Sequence, residues 1–357
     1  MYLQFTIPFL LCFGISLLLT PYIIRLCNKH EFYDQPNSRK VHQYAIPRLG
    51  GIIFMPITAI GIMIGLGVMS GGENKELNIF LSTVLIVVGA MLIYLIGLLD
   101  DLRGLKATHK FIVQVAAALM FPACNMMIDN LHGLFGFYEL PFWLSYIITV
   151  LTILLIVNAM NLIDGIDGLS SGLAMLILLI FAYLFWQLGA PIYVLLSVSL
   201  CATLLGFIIY NFFGSIGRHK IFMGDTGSLF IGFVIAYLAI KYQMSSWENV
   251  GYREEALLTS ITLVFLPCID VVRVALFRLI NRKEMFAADK THIHHLLMHM
   301  GLSMHQALFT IILLFAMLCV INWGLYLSGI SSTWIVLLDT LIYISIIWSA
   351  YKIGETK

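Results

Sequence analysis

Long apolar runs divide this chain into eleven segments, and they constrain its fold more than any other feature of the sequence. About 20 residues of helix cross the hydrocarbon core of a bilayer, and each run is close to that length. We therefore predict an all-α, polytopic integral membrane protein with about eleven transmembrane helices in a single domain, residues 1–357. The predicted spans are residues 2–25, 49–69, 78–99, 108–127, 141–159, 169–188, 191–213, 226–243, 256–280, 305–327 and 332–351.

The composition excludes a soluble alternative. A length of 357 residues would suit two soluble domains, but 61% of the residues are hydrophobic and only 11% are charged. The six cysteines are scattered without a C-x-x-C pair, which favours packing between helices over a disulfide framework or a metal site. The first apolar run lacks a positive region before it and a small-residue cleavage pattern, so we expect a retained helix.

The basic residues fall mostly on one side of the predicted membrane. With eleven alternating spans, seventeen of the 20 lysines and arginines share one side, and the other side has Lys75, Lys241 and Arg253. Cytoplasmic loops carry the excess of positive charge, so the enriched side is predicted to be cytoplasmic. The polar motifs lie on that same side, which predicts an active site at the cytoplasmic face.

The most informative motif is the stretch 158–172, NAMNLIDGIDGLSSG, at the mouth of a predicted membrane helix. On a continuous helix, Asn161, Asp164 and Asp167 would span a sector of about 120° and would face one side. Glycines within the stretch lower the cost of a bend or of close backbone approach. Carboxylates and carboxamides grouped at a membrane edge suit a hard cation and a phosphate-bearing ligand.

A neighbouring carboxylate pair, Asp100 and Asp101, ends the third apolar run. An aspartate inside the membrane costs roughly 3 kcal/mol, and ionisable residues there are functional by default. The alternative is a solvated helix end, but Asp164, Asp167 and Asp225 on the same predicted face favour function. The candidate roles are general base and Mg²⁺ ligand.

The segment GDTGS, residues 224–228, opens the eighth predicted span. The N–H groups at a helix start can hold phosphate, and Asp225 can hold a metal. The alternative is that Asp225 or Thr226 caps the helix, and the two interpretations are compatible.

Histidines and basic residues provide candidate anion contacts. His292, His294 and His295 lie in THIHH, which lacks the H-E-x-x-H pattern of zinc enzymes and has basic neighbours, so we expect donors to diphosphate or sugar oxygens. The alternative is solvated loop histidines. Lys40, before the second span, and Lys110, after the aspartate pair, indicate either binding of an anionic head group or a positive-inside anchor.

Asp270 and Arg273 stand three residues apart in the ninth apolar run, close to Pro267. This spacing predicts an internal ion pair, which we interpret as structural.

In combination, these motifs resemble those of the polyprenyl-phosphate N-acetylhexosamine-1-phosphate transferases. The resemblance rests on DQPNSRKVH and PRLGG, LLDDLRGL, NAMNLIDGIDGLSSG, FMGDTGS and HIHH, in that order over nearly the whole chain. It is strongest to the bacterial UDP-N-acetylglucosamine:undecaprenyl-phosphate enzymes of glycosyltransferase family 4, which begin teichoic acid or lipopolysaccharide O-antigen assembly. The related phospho-N-acetylmuramoyl-pentapeptide transferases carry three consecutive histidines and ten spans, whereas this chain has HIHH and eleven predicted spans.

The resemblance implies roles for the residues that match its motifs. Asp100 matches a proposed base and Asp101 its partner, while Gly104 stands where some members carry a third acidic residue. The resemblance implies Mg²⁺ ligands at Asn161 and Asp225, with Mn²⁺ as a substitute. Matches to substrate-binding positions are Asp164 near the diphosphate, Asp167 and Phe222 at the uracil, Lys110, Lys40 in DQPNSRKVH, and His292, His294 and His295 over the sugar and diphosphate.

The activity implied by the resemblance is transfer of a sugar-1-phosphate from a UDP-N-acetylhexosamine to undecaprenyl phosphate, with release of UMP. The expected setting is the bilayer of the bacterial cytoplasmic membrane, with no nucleic-acid partner, and a homodimer is left open. The alternatives are the peptidoglycan transferase and an ion-coupled transporter or flippase, which would place its ionisable residues near the midplane. Direct attack and a covalent aspartyl intermediate also both remain open.

Overall fold

Helices occupy most of the computed structural model, which describes residues 2–35, 44–71, 80–244, 253–283 and 291–355. The α-helices of these ranges are α1 (Leu3–His30), α2 (Phe54–Ser70), α3 (Leu81–Arg103), α4 (Ala107–Ala123), α5 (Phe142–Leu162), α6 (Leu169–Gln187), α7 (Pro191–Asn211), α8 (Gly224–Gln243), α9 (Glu255–Ile280), α10 (Ile293–His299), α11 (Met304–Leu327) and α12 (Ser332–Glu355). Short 3-10 helices cover Gly50–Ile53 and Leu134–Gly136. Strands β1 (Tyr33–Asp34) and β2 (Ile46–Pro47) pair antiparallel.

The helices confirm the predicted all-α, polytopic membrane architecture. Within the described ranges, nine are long and apolar enough to cross a membrane. Each of the eleven predicted spans coincides with a helix, but α4 and α9 are not among those nine. The α4 helix has 17 residues and extends about 25 Å, which is short for a span. The count of eleven spans therefore stays a prediction.

The α8 helix lies at the centre of the fold. It packs against α3, α5, α6 and α9, and its side chains are buried along almost its whole length. The helix is apolar on all sides, as expected of a helix surrounded by others. Its first residues belong to GDTGS, so the packing places that motif in the middle of one end of the bundle.

The β1–β2 hairpin leads into a backbone connection that reaches the start of α8. Phe222 N donates to Pro47 O at 2.7 Å, Gly50 N donates to Phe222 O at 2.9 Å, and Gly51 N donates to Met223 O at 2.7 Å. The PRLGG and FMGDTGS motifs, which are far apart in sequence, are therefore held side by side.

Candidate active site

Four helix ends bring Asp100, Lys110, Asn161 and Asp225 together. The ammonium nitrogen of Lys110 lies 3.0 Å from Asp100 Oδ2 and 2.5 Å from Asp225 Oδ2. Asn161 Nδ2 donates to Asp225 Oδ1 at 3.2 Å and to Ser228 Oγ at 2.8 Å. These residues lie near the end of α3, the start of α4, the end of α5 and the start of α8, which meet at one end of the bundle. We call this group the carboxylate cluster.

Asp101 lies beside that cluster and holds the start of α8. Its carboxylate accepts hydrogen bonds from Asp225 N and Thr226 N, each at 2.9 Å, and from Thr226 Oγ1 at 2.5 Å. The first N–H groups of a helix have no partner within the helix, and Asp101 supplies one from α3. The expectation that Asp225 or Thr226 caps α8 is wrong, because Asp225 accepts from Lys110 and Asn161 instead.

Gly224 makes this turn into α8 possible. Its φ is +72°, in the left-handed region that residues with a side chain rarely adopt. A Cβ atom at this position would lie 2.3 Å from Arg48 O and 2.5 Å from Asp101 Oδ2. A glycine is therefore required both for the backbone conformation and for the approach of the Asp101 carboxylate.

The residues between α5 and α6 form a turn, which corrects the predicted helical face. The α5 helix ends at Leu162 and α6 begins at Leu169, so Asp164 and Asp167 are placed by the turn rather than by helical spacing. The α5 helix stops before either aspartate is reached, and Gly168, with a φ of +77°, keeps the turn from continuing into α6 as one helix. The two aspartates nevertheless remain at the same end of the bundle as Asn161.

Two residues that the sequence motifs do not single out, Lys220 and Asn211, fix this turn. Lys220 Nζ lies 2.6 Å from Asp167 Oδ2, and both side chains are almost buried. Asn211 Oδ1 accepts from Gly168 N at 2.8 Å, and Asn211 Nδ2 donates to Ile221 O at 3.0 Å. The available signal was a lysine two residues before Phe222 on the predicted cytoplasmic side. The Asp167 carboxylate is therefore paired with an almost buried ammonium group, that of Lys220.

Burial changes the pKa of one carboxyl group in this turn, that of Asp164. Burial raises the pKa of Asp164 to about 8, and the charges of Asp167, Asp225 and Asp101 contribute to this increase. A raised carboxyl pKa means that burial and the neighbouring negative charges disfavour the ionised form. The region holds five aspartate side chains and, among the residues already described, two lysine ammonium groups.

The histidine segment, residues 292–295, lies against the same turn. His294 is fully buried, and a Cβ atom added to Gly165 would lie 2.1 Å from His294 Nε2. Burial lowers the pKa of His294 to about 3, with His295 and His292 acting in the same direction, so its ring is neutral. Both ring nitrogens lack a hydrogen-bond partner among the described residues. The ring of His295 lies 4.3 Å from that of His294, between centroids.

The expected Asp270–Arg273 ion pair is confirmed, and it has a further partner. Arg273 Nη2 lies 2.8 Å from Asp270 Oδ1, and Asp270 Oδ2 lies 2.7 Å from His292 Nδ1. Two other predicted site residues are less informative: Phe222 is half-buried beside β2, and Lys40 lies outside the described residues.

Comparisons with known proteins identify the family. Residues 83–243 match the model of Glycosyl transferase family 4, and this region contains all four residues of the carboxylate cluster. The probable undecaprenyl-phosphate N-acetylglucosaminyl 1-phosphate transferase of Bacillus subtilis (strain 168) is 32% identical over 321 residues, which are 87% of this chain and 82% of that protein. The chain belongs to glycosyl transferase family 4.

Two other relatives also match the chain over most of its length. The undecaprenyl-phosphate alpha-N-acetylglucosaminyl 1-phosphate transferase of Salmonella typhi is 30% identical over 85% of this chain and 79% of that protein. The enzyme of the same name from Escherichia coli O157:H7 is 28% identical over 93% of this chain and 88% of its own length. The predicted resemblance is confirmed, and the comparisons favour the transferase over the peptidoglycan and transporter alternatives.

Proposed function

We propose that this family 4 protein transfers N-acetylglucosamine-1-phosphate from UDP-N-acetylglucosamine to undecaprenyl phosphate and releases UMP. The relatives carry this activity in their names and match most of the chain. The single structural observation behind the proposal is the convergence of Asp100, Lys110, Asn161 and Asp225 at one end of a membrane bundle. The reaction would be the first membrane step in assembling a cell-envelope polysaccharide.

The proposed location of the site is the cytoplasmic face of the bacterial cytoplasmic membrane. The cluster lies at the helix ends that carry most of the basic residues, which is the cytoplasmic side by the positive-inside rule. This edge also suits the substrates, because the nucleotide sugar is water-soluble and the acceptor has a tail that requires a bilayer. The chemistry must take place where both can reach.

The donor set fits Mg²⁺, with Asp225 and Asn161 as the residues that would hold it. Mg²⁺ prefers oxygen ligands and is bound by one or two carboxylates together with substrate phosphates. The Lys110 ammonium lies between Asp100 and Asp225, so the space between these carboxylates already accepts positive charge. Bound Mg²⁺ would neutralise diphosphate charge.

The protein's own residues supply positioning and further charge. A phosphate monoester has a pKa near ~6, so the acceptor is mostly a dianion at neutral pH and needs little deprotonation. Asp100 then accepts the remaining proton or orients the nucleophile, while Asp101 positions the start of α8. Lys110 donates to phosphate oxygens, which is what a phosphoryl transfer requires more than covalent help. The acceptor oxygen forms a bond to the sugar-bearing phosphorus as the bond to the UMP oxygen breaks.

The route through a covalent aspartyl intermediate would produce UMP before the acceptor binds. Rapid-quench measurements of UMP release, with UDP-N-acetylglucosamine and no lipid acceptor, decide between the two routes. A burst of UMP equal to the enzyme concentration supports the covalent route, whereas no burst supports direct attack.

The proposed function is tested with purified protein, a panel of UDP-sugars and undecaprenyl phosphate. We expect UMP release with UDP-N-acetylglucosamine that requires both Mg²⁺ and the lipid phosphate. Mn²⁺ should replace Mg²⁺. Asp225→Ala should abolish release while the protein stays folded, and normal turnover by that variant would overturn the metal assignment. Preference for UDP-N-acetylmuramoyl-pentapeptide would overturn the proposed donor.

A further inference from the structure

Asp270 is a buried carboxylate that contacts the start of the histidine segment, residues 292–295, as well as Arg273 and Tyr343. It is 2% exposed, and it lies in α9 at 22 residues from His292. Asp270 Oδ2 lies 2.7 Å from His292 Nδ1, and Asp270 Oδ1 accepts from Ile293 N at 3.0 Å. A single side chain therefore holds both the ring of His292 and the first backbone N–H of α10.

The Oδ1 atom of Asp270 has two further donors, one from α12 and one from α9 itself. Asp270 Oδ1 also accepts from Tyr343 Oη of α12 at 2.6 Å and from Arg273 Nη2 at 2.8 Å. Arg273 Nε donates to Tyr343 Oη at 3.0 Å, and Arg273 Nη2 also donates to Thr291 O. With its acceptor sites occupied, the carboxylate has one well-defined orientation.

We propose that Asp270 is a positioning residue that fixes the tautomer and orientation of His292 for the transfer reaction. A histidine that donates Nδ1–H to a carboxylate presents Nε2 on its other side, and such a partner sets which nitrogen carries the proton. The inference rests on the proposed function, because it treats His292 as a residue that contacts the donor substrate. It replaces the interpretation of Asp270 as a purely structural ion-pair partner.

The effect of this contact extends to the neighbouring histidine. The rings of His292 and His294 are parallel to within 5°, with their centroids 6.1 Å apart. His294 packs in turn on Gly165 of the turn that carries Asp164 and Asp167. A rotation of His292 would therefore disturb the stacked rings that lie against the acidic turn, rather than one isolated side chain.

A double-mutant cycle tests whether Asp270 acts through His292. Asp270→Asn should lower kcat by about 10- to 100-fold, by analogy with the loss of a carboxylate that orients a metal-bound histidine. The KM for UDP-N-acetylglucosamine should change little. In the His292→Ala background the same substitution should have no further effect on kcat. An equal loss of kcat in both backgrounds would overturn the proposal.

Two variants separate positioning from folding. Tyr343→Phe removes one donor to the carboxylate but leaves its bond to His292, so it should lower the midpoint of thermal unfolding more than it lowers kcat. His292→Asn keeps a donor near Asp270 and removes Nε2, so it should fold normally and lose activity. A kcat loss for Tyr343→Phe as large as that for Asp270→Asn would show that Asp270 has a structural role alone.

A measurement on the unmodified protein covers the case in which Asp270→Asn does not fold. Protein labelled with ¹⁵N-histidine, with the His292 signal assigned by its loss in His292→Asn, should show protonated Nδ1. A proton on Nε2 alone would contradict the proposal. This readout does not depend on turnover, so it stays valid if the wild-type protein releases no UMP and the proposed function fails.

Discussion

Asp101 and Thr226 are joined by two hydrogen bonds to one carboxylate oxygen, at 2.9 Å from the backbone N–H and 2.5 Å from the hydroxyl. The contact links the end of α3 to the start of α8, two helices that meet 125 residues apart along the chain. It separates the roles of two adjacent aspartates. Asp101 holds the backbone that presents Asp225, while Asp100 faces Lys110.

Asp101→Asn should destabilise the protein. The amide nitrogen of asparagine would face an N–H group at the start of α8, and leaving a buried group unsatisfied costs about 1–3 kcal/mol. The midpoint of thermal unfolding in detergent should fall clearly. Thr226→Val removes only the hydroxyl donor and should cost less than Asp101→Asn. Equal stability of Asp101→Asn and the wild type would contradict the capping role.

Asp100→Asn should have the opposite profile, with a large loss of activity and a smaller loss of stability. Asp100 Oδ2 faces Lys110, while its Oδ1 accepts from Leu105 N at 2.6 Å, and the side-chain oxygen of asparagine can keep that second bond. The expected loss of kcat is about 10²- to 10⁴-fold, which is the usual contribution of a positioned acid or base. Assays of UMP release and thermal unfolding on the same preparations provide the comparison. An active Asp100→Asn protein would remove Asp100 from the catalytic group.

Lys220→Met should weaken binding of the nucleotide sugar. The substitution removes the cation that is paired with the almost buried carboxylate of Asp167. An unpaired buried charge is strongly unfavourable. The KM for UDP-N-acetylglucosamine should rise by about tenfold or more, which corresponds to ~1.4 kcal/mol. The Asp167→Asn/Lys220→Met double variant should recover thermal stability but not the low KM. Recovery of both would show that the ion pair serves stability alone.

Gly165→Ala should lower activity because its methyl group would overlap His294. The added Cβ would lie 2.1 Å from His294 Nε2, so the buried ring or the turn must move. A displacement of about 1 Å in a catalytic site can cost ~10²-fold in rate. Gly324→Ala is the matched control, since nothing lies within 4 Å of its added Cβ. Unchanged kcat for Gly165→Ala would show that the histidine contact with this turn is not needed for turnover.

Acid should destabilise the protein partly through His294. The pKa of this ring is lowered to about 3 by burial, while an exposed histidine has a pKa near ~6.5, so unfolding takes up a proton between these values. The contribution of His294 to stability is thus complete above about pH 6.5 and is lost as the pH falls toward 3. Unfolding midpoints across this range should decline less steeply for His294→Gln than for the wild type. Parallel curves would contradict the assignment.

The positions of the membrane helices were predictable because they follow from local composition. Each of the apolar runs is a helix in the structure, since a bilayer requires backbone polar groups to be satisfied within the segment. The polar motifs were also placed correctly near helix ends, as Asp100 and Asp225 illustrate. The helical face predicted for Asp164 and Asp167 was wrong, because α5 ends at Leu162 and both aspartates lie in the turn that follows it.

The sequence by itself determined the helical membrane fold, the family and the residue types gathered at one end of the bundle. The tertiary structure alone decided which partner each charge has: Asp101 with the start of α8, Asp167 with Lys220, and Asp270 with His292. The physical reason is distance along the chain. Hydropathy and helical spacing are properties of neighbouring residues, whereas these hydrogen bonds and ion pairs exist only after helices remote in sequence have packed together.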